Sequence, residues 1–552
     1  MCATLGCTAC QRKRRSCYLP SPKSIAATRG ETRDNSFPCT NESAQGGSLQ
    51  TRGDPIDAPG ALIITKEMWN KVYDIFKMHF STEMPFLHLP TLRSQIHPGT
   101  FPQDVLVPAT SDGRNLELLL LGILTLTARF HPELVAYHTV PLAQQNRPLA
   151  ASEYYATTLA TAFEVSPVYL TKPSPQSVQA LLMLGHYEWS QGKDIEAREH
   201  VGHAIRLAES MGLGYDLDLP SSQERSKPEA DDLEAVIREE SRRRTMWSCF
   251  IMDRMLADGE NRPMMIRVEK LRVRLPCCDD QFLFARKVQT GEGVLGRYIC
   301  LVEIFGRLCN WRYAGDRTTE KLPPGDKFAE FVRLRQHLED FHKALPLDLM
   351  LVRPNLSAHM EKHNATTYVS MYVLHSLCLI MLHSEYMQPL CQKPEPPFPM
   401  GQFETPVGFW EQSVETMFEA ARTVIHVIRV CWDNNRLPET PLIGFALWEA
   451  VCLCVYAAHF PHTDTGRHLL GLYQMNQSSG DFWSGVYTNP TVAILSRITS
   501  SSKMADGYVS KIREMHAYFE GVKGQYKLVE SELRECGEIS PNGDTALSES
   551  NI

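Results

Sequence analysis

The chain of 552 residues lacks the short signatures that carry most enzyme chemistry. It has no phosphate cradle ending in Gly-Lys-Ser/Thr, no His-Glu-x-x-His and no Gly-x-Ser-x-Gly elbow. It also has no strand–turn–helix rhythm in which a glycine loop could hold a nucleotide. Strand-like alternation is scarce and no fixed-period repeat is present, which excludes a βαβ sheet and a regular solenoid. Cysteine is not short in number, at 16, but it lacks the even spacing of a disulfide scaffold, and a reducing intracellular setting is expected. No apolar run follows the basic stretch Arg12–Arg15, so a secretory leader is not expected. The apolar runs at 116–130 and 441–460 are either short or interrupted by Glu449, and they read as buried helices rather than membrane spans.

An excess of positive charge is missing as well. Lys and Arg total 56 against 64 Asp and Glu, a formal net charge of -8. Nucleic-acid contact, if any, must therefore be local. The basic charge is concentrated at the start: residues 1–29 hold Arg12, Lys13, Arg14, Arg15, Lys23 and Arg29 and no acidic residue.

Hydrophobic residues make up 43% of the chain, enough for a large core. Residues 18–60 are rich in Pro, Gly, Ser, Thr and Asn and are expected to form a flexible linker. From residue 61 the pattern turns helical. Trp69, Val72, Tyr73 and Phe76 fall at spacings of three and four, an amphipathic stripe. Further helices are expected at 116–130, 151–165, 176–190, 193–211, 232–257, 289–313, 325–344, 358–387, 407–431, 442–459, 489–517 and 520–535. The expected fold class is all-α: a large irregular helical regulatory domain over 61–536, divisible near 390–406, behind a small cysteine-rich head at 1–17. A disordered tail is expected at 537–552. On the helix at 232–257, Trp247, Phe250 and Ile251 are expected in the core, with Arg242, Arg243 and Arg244 paired to Glu239, Glu240 or Asp253. His200 and His203 read as partly exposed helix histidines, and His459 and His462 as a helix end or loop.

The head carries the chemistry. Cys7, Cys10 and Cys17 stand in the order Cys-x2-Cys-x6-Cys, with four basic residues between the last two. Thiolates are soft ligands that bind zinc tetrahedrally, and the x2 spacing lets two reach one ion. Arginines beside such a knot can reach phosphates and base edges.

This pattern resembles the first half of the fungal Zn(II)2Cys6 binuclear cluster. The resemblance implies zinc as cofactor, with Cys7, Cys10 and Cys17 as ligands. It also implies Arg12, Lys13, Arg14 and Arg15 as DNA contacts, Arg14 taking the place of the base-reading lysine. Ser16 departs from the pattern, and no second Cys-x2-Cys-x6-Cys follows before Cys39. Beyond the linker, residues 85–92, 118–138, 177–216 and 239–266 resemble the helical fungal-specific transcription factor domain. Residues 441–461 are similar to a late helix of the subgroup that combines C2H2 fingers with this cluster. The resemblance covers roughly 65–460. It implies a nuclear, non-enzymatic transcription regulator whose partners are DNA and regulatory proteins or the transcription machinery. A small-molecule effector and a homodimer are open within it, and no membrane is expected. The alternative is a regulator or interaction protein that keeps only the helical domain and does not bind DNA.

Overall fold

The computed structural model describes residues 64–96, 111–139, 148–166, 168–216, 230–259, 262–286, 293–313, 322–362, 365–385, 406–469 and 490–535. Among them all regular structure is helical, apart from an isolated bridge between Tyr215 and Arg272. The expected head, linker and tail, and the 390–406 connector up to residue 405, lie outside the described residues.

Helix α1 (Lys66–Phe80) starts where the Thr65 side chain accepts from the Met68 N–H at 3.3 Å, satisfying one of the unpaired N–H groups of the first turn. Its stripe of Trp69, Val72, Tyr73 and Phe76 is buried, as the periodicity predicts. The short helix α2 (Leu89–Gln95) follows. Helix α3 (Ser111–Thr127) is covered on all sides from Leu118 to Leu126 and continues into a 3-10 turn at Ala128–Phe130. It lies between α5 (Pro148–Val165) and α6 (Pro175–Ser190), while α4 (Pro132–Thr139) packs on α5. The start of α6 is closed by a reciprocal pair: the Ser174 hydroxyl accepts from the Ser177 N–H, and the Ser174 N–H donates to the Ser177 hydroxyl. Helix α7 (Asp194–Ser210) folds back on α6 through a turn in which Gly192 takes φ +72°, a backbone region that suits glycine.

Helix α8 (Ala230–Met255) packs on α6 and α7, and the short helix α9 (Asp279–Leu283) ends the extended segment after it. Helix α10 (Val294–Tyr313) bridges α8 and the later helices. Helices α11 (Glu330–Lys343) and α12 (Arg353–Glu361) lead into α13 (Ala365–Ser384). That helix packs against α10, α11, α14 (Phe409–Asp433) and α15 (Pro441–His459). Helices α16 (Pro490–Ser501) and α17 (Tyr508–Glu535) complete the stack, and α17 lies on α15.

Two expected helices divide differently. The span 358–387 breaks at Lys362, whose backbone is extended; past the break, Thr366 donates to the Met78 carbonyl at 3.0 Å and Tyr368 to the Met350 carbonyl at 3.0 Å. The span 489–517 breaks after Ser501, while the expected helix at 520–535 is the continuation of α17. At that break Gly507 takes φ +90°, and the Ser502 hydroxyl donates to the Ser190 carbonyl at 2.6 Å. In both places a side-chain bond to a distant backbone carbonyl accompanies the break in the local helical pattern.

Candidate functional site

Helix α8 carries the densest charge of the described core. Arg244 is almost fully buried. Its Nε donates to Glu240 Oε1 at 2.9 Å, Nη1 to Asp279 Oδ1 at 2.9 Å and to the Pro85 carbonyl at 3.2 Å, and Nη2 to the Cys277 carbonyl at 2.8 Å. Its guanidinium lies 4.3 Å from the Phe282 ring centroid. One side chain thus ties α8 to the segment before α2 and to the segment around α9. Arg243 pairs with Glu240 and donates to Asp216 Oδ1 at 2.8 Å, and Arg242 lies 3.9 Å from Glu239. Burial pulls the Arg244 pKa down, but Asp279 and Glu240 outweigh it and hold it above the ordinary value. Asp216 is desolvated, yet Arg274 and Arg243 keep its carboxyl below the usual range. Trp247, Phe250 and Ile251 are buried, as expected, and the Trp247 indole donates to the Arg274 carbonyl at 2.8 Å. Losing one partner of such a buried network costs about 3–5 kcal/mol, so these arginines act as structural ties.

Asp253 pairs with its neighbour Arg254 at 2.6 Å rather than with the arginine triplet. Its carboxylate also accepts from the Met265 N–H at 2.9 Å and the Ile266 N–H at 3.0 Å, anchoring the loop after α8. Gly259 in that loop has φ +138°, and a Cβ there would sit 2.8 Å from Arg262 Nε; Arg262 reaches back to Asp194 at 2.8 Å. His200 is not a ligand in waiting: its Nδ1 lies 2.7 Å from Glu188 Oε2. The spacing Gly291-x-Gly293-x-x-Gly296 does occur, against the absence of a nucleotide loop read from the sequence. No strand precedes it among the described residues, so it lacks the setting in which such a loop cradles phosphate.

Two clefts open between helices. One, of about 570 Å³, lies where α1, α4, α12 and α13 meet, with Lys71, Lys77, Lys362 and Arg436 against Asp74 and Glu361. The other, of about 520 Å³, lies between α11, α13 and α14 and holds His342, His375 and His383 with Gln412 and Thr423. Burial lowers the pKa of His375 and of His383 to about 4, so both rings are neutral near pH 7. Among the described residues neither ring nitrogen of His383 has a hydrogen-bond partner, although the residue is only 3% exposed. Sequence reasoning missed these histidines because they sit on α11 and α13 at no recognisable spacing. Cys7, Cys10, Cys17 and Arg12, Lys13, Arg14 and Arg15 lie outside the described residues.

The fold and its ionic centre define an all-helical domain protein. Residues 73–343, from α1 to the end of α11, match the family model of the fungal specific transcription factor domain. The Zn(2)-C6 fungal-type transcription factor FTF1a of Fusarium oxysporum f. sp. lycopersici is 22% identical over 440 residues, which cover 75% of this chain and 36% of that protein. FTF1c of the same fungus is 22% identical over 417 residues, covering 71% and 39%. An uncharacterized transcriptional regulatory protein of Schizosaccharomyces pombe is 24% identical over 267 residues, covering 42% and 37%. The chain thus spans well under half the length of these relatives. No solved structure matches it. The domain match and these relatives together support a fungal Zn2Cys6-type transcription factor family for the chain.

Proposed function

We propose that the chain is a nuclear transcription regulator, non-enzymatic, with a DNA-contacting head at 1–17, a tether at 18–60 and a helical regulatory domain at 61–536. The observation that carries this is the family match of residues 73–343, the stretch built around the α8 ionic centre. In the head, Cys7, Cys10 and Cys17 supply three thiolates of a zinc site, and a tetrahedral ion takes a fourth ligand. Zinc, when bound, would hold the short basic segment in one shape. Arg14 reads a base edge, while Arg12, Lys13 and Arg15 neutralise phosphates. The helical domain acts through regulatory proteins or the transcription machinery, as monomer or homodimer. The histidine-lined cleft between α11, α13 and α14 supports a small-molecule effector, because His383 offers two buried, unpartnered ring nitrogens there.

The test measures binding to a panel of duplexes across a salt series. Changing Arg12, Lys13, Arg14 and Arg15 together to Ala is expected to abolish specific binding. Arg14→Ala alone should relax specificity, and Arg12→Ala or Lys13→Ala should weaken binding to all sequences and lower the salt slope by about one each. Equal affinity of wild type and the fourfold variant would sink the reading. It would favour a regulator that works through its helical domain without touching DNA, as would a head that takes up no zinc.

A further inference from the structure

We propose that His459, His516 and Glu520 form a binding site for a divalent transition-metal ion of the zinc class, joining the end of α15 to α17. His459 is the last residue of α15 and its side chain is 3% exposed. His516 and Glu520 stand four residues apart on α17, so they share one face of that helix. His459 Nε2 lies 2.8 Å from His516 Nδ1, and His459 Nδ1 lies 3.4 Å from Glu520 Oε1. One ligand atom from each of the three residues lies within 4.8 Å of the other two.

The chemistry of this donor set selects the ion. Two imidazoles and one carboxylate suit zinc, copper, nickel or cobalt, whereas magnesium and calcium prefer oxygen alone. At 2.8 Å the two imidazoles share a single proton, and an ion bound through one nitrogen of His459 displaces it. Zinc–nitrogen bonds of about 2.05 Å in a tetrahedron set ligand atoms about 3.3 Å apart, so the pair must open by roughly half an ångström. His516 is only partly buried and can supply that movement by a small side-chain rotation. The ring of Phe519 lies 5.5 Å from that of His459 and packs on Phe460 and Tyr456, walling one side with apolar groups. The carbonyl end of α15 adds negative potential at His459. One coordination position remains for water, and the bound ion clamps α17 onto α15.

The site is independent of the cysteine head, and the experiment keeps the two apart. Cobalt(II) is titrated into the full chain carrying Cys7→Ser, Cys10→Ser and Cys17→Ser. The expected result is one equivalent bound, with visible d–d bands and no thiolate charge-transfer band. His516→Ala in the same background should abolish these bands, and Glu520→Gln should weaken binding at least tenfold. Zinc should raise the melting temperature of the triple-serine chain and leave that of its His516→Ala variant unchanged. Circular dichroism of the His516→Ala chain confirms that it is folded. Absence of cobalt bands in the triple-serine chain, or bands that survive His516→Ala, overturns the proposal.

Discussion

At the residue scale, the most instructive groups are the buried ones whose charge the fold refuses. Glu83 follows α1, is 1% exposed, and burial raises its pKa to about 8. It is therefore largely protonated in the folded protein at pH 7 and ionised in the unfolded chain above about pH 4.5. The folded state holds the extra proton across that window, so stability contributed by Glu83 is complete below pH 4.5 and is lost as pH rises towards 8. His79 and His186 work in the other direction. Burial, reinforced by Arg129, lowers both to about 3, so their contribution is present above about pH 6.5 and is lost as pH falls towards 3. Glu83→Gln isolates the first effect. Its stability relative to wild type should grow between pH 5 and pH 8, by at most about 1.4 kcal/mol per pH unit. Parallel denaturation curves of the two proteins at both pH values would show that Glu83 is ionised in the fold. None of this was legible in the sequence, where Glu83 reads as an ordinary polar residue of a turn. By contrast, the pairing of Arg243 and Arg244 with Glu240 was legible, because residues three and four apart on a helix are neighbours.

At the element scale, the helices follow from apolar spacing, while their close approaches depend on single small residues. Gly185 of α6 faces α7: a Cβ there would lie 2.7 Å from Val201 Cγ2 and 3.1 Å from the Ala197 carbonyl oxygen. Gly122 of α3 faces α6, but its nearest neighbour is the end of the flexible Met183 side chain at 2.5 Å. Alanine gains about 1 kcal/mol over glycine in a helix interior. At Gly185 the rigid carbonyl cannot yield, and overpacking of about 1–3 kcal/mol wins. At Gly122 the methionine swings aside and the propensity gain remains. Gly185→Ala should thus lower the melting temperature and Gly122→Ala should leave it unchanged or raise it. The same sign for both would refute this account of the α6–α7 contact. The two misplaced helix breaks belong to this scale. At Lys362 and at 502–507 nothing in a short window outweighs the helical period. What lies beside each break is a hydrogen bond to Met78 or to Ser190, hundreds of residues away.

At the scale of the whole molecule, one apolar core runs from α1 through α13 to α17. Polar ties cross it: the Glu439 N–H donates to His79 Nδ1 at 3.0 Å, and the Thr82 and Thr367 hydroxyls meet at 3.2 Å. Helices α13 and α15 are long and apolar enough to cross a membrane, yet most of each is covered by other helices. Burying them against protein accounts for their composition, and it makes the later helices a condition of the earlier ones. A chain ending at residue 385 would leave the α14 and α15 side of α13 bare. It should collect in the insoluble fraction, or bind a hydrophobic dye strongly if refolded. A soluble, dye-silent fragment with native helix content would show that the first half is self-sufficient.

The sequence by itself determined the helical class, the amphipathic faces and the α8 ion pairs, because these rest on periodicity and local spacing within a few tens of residues. The tertiary structure alone decided which histidines share a cleft, which carboxyl stays protonated, where two helices stop, and that His459 meets His516 and Glu520. Those outcomes depend on desolvation and on contacts between distant segments, and neither has a signature in the order of the residues.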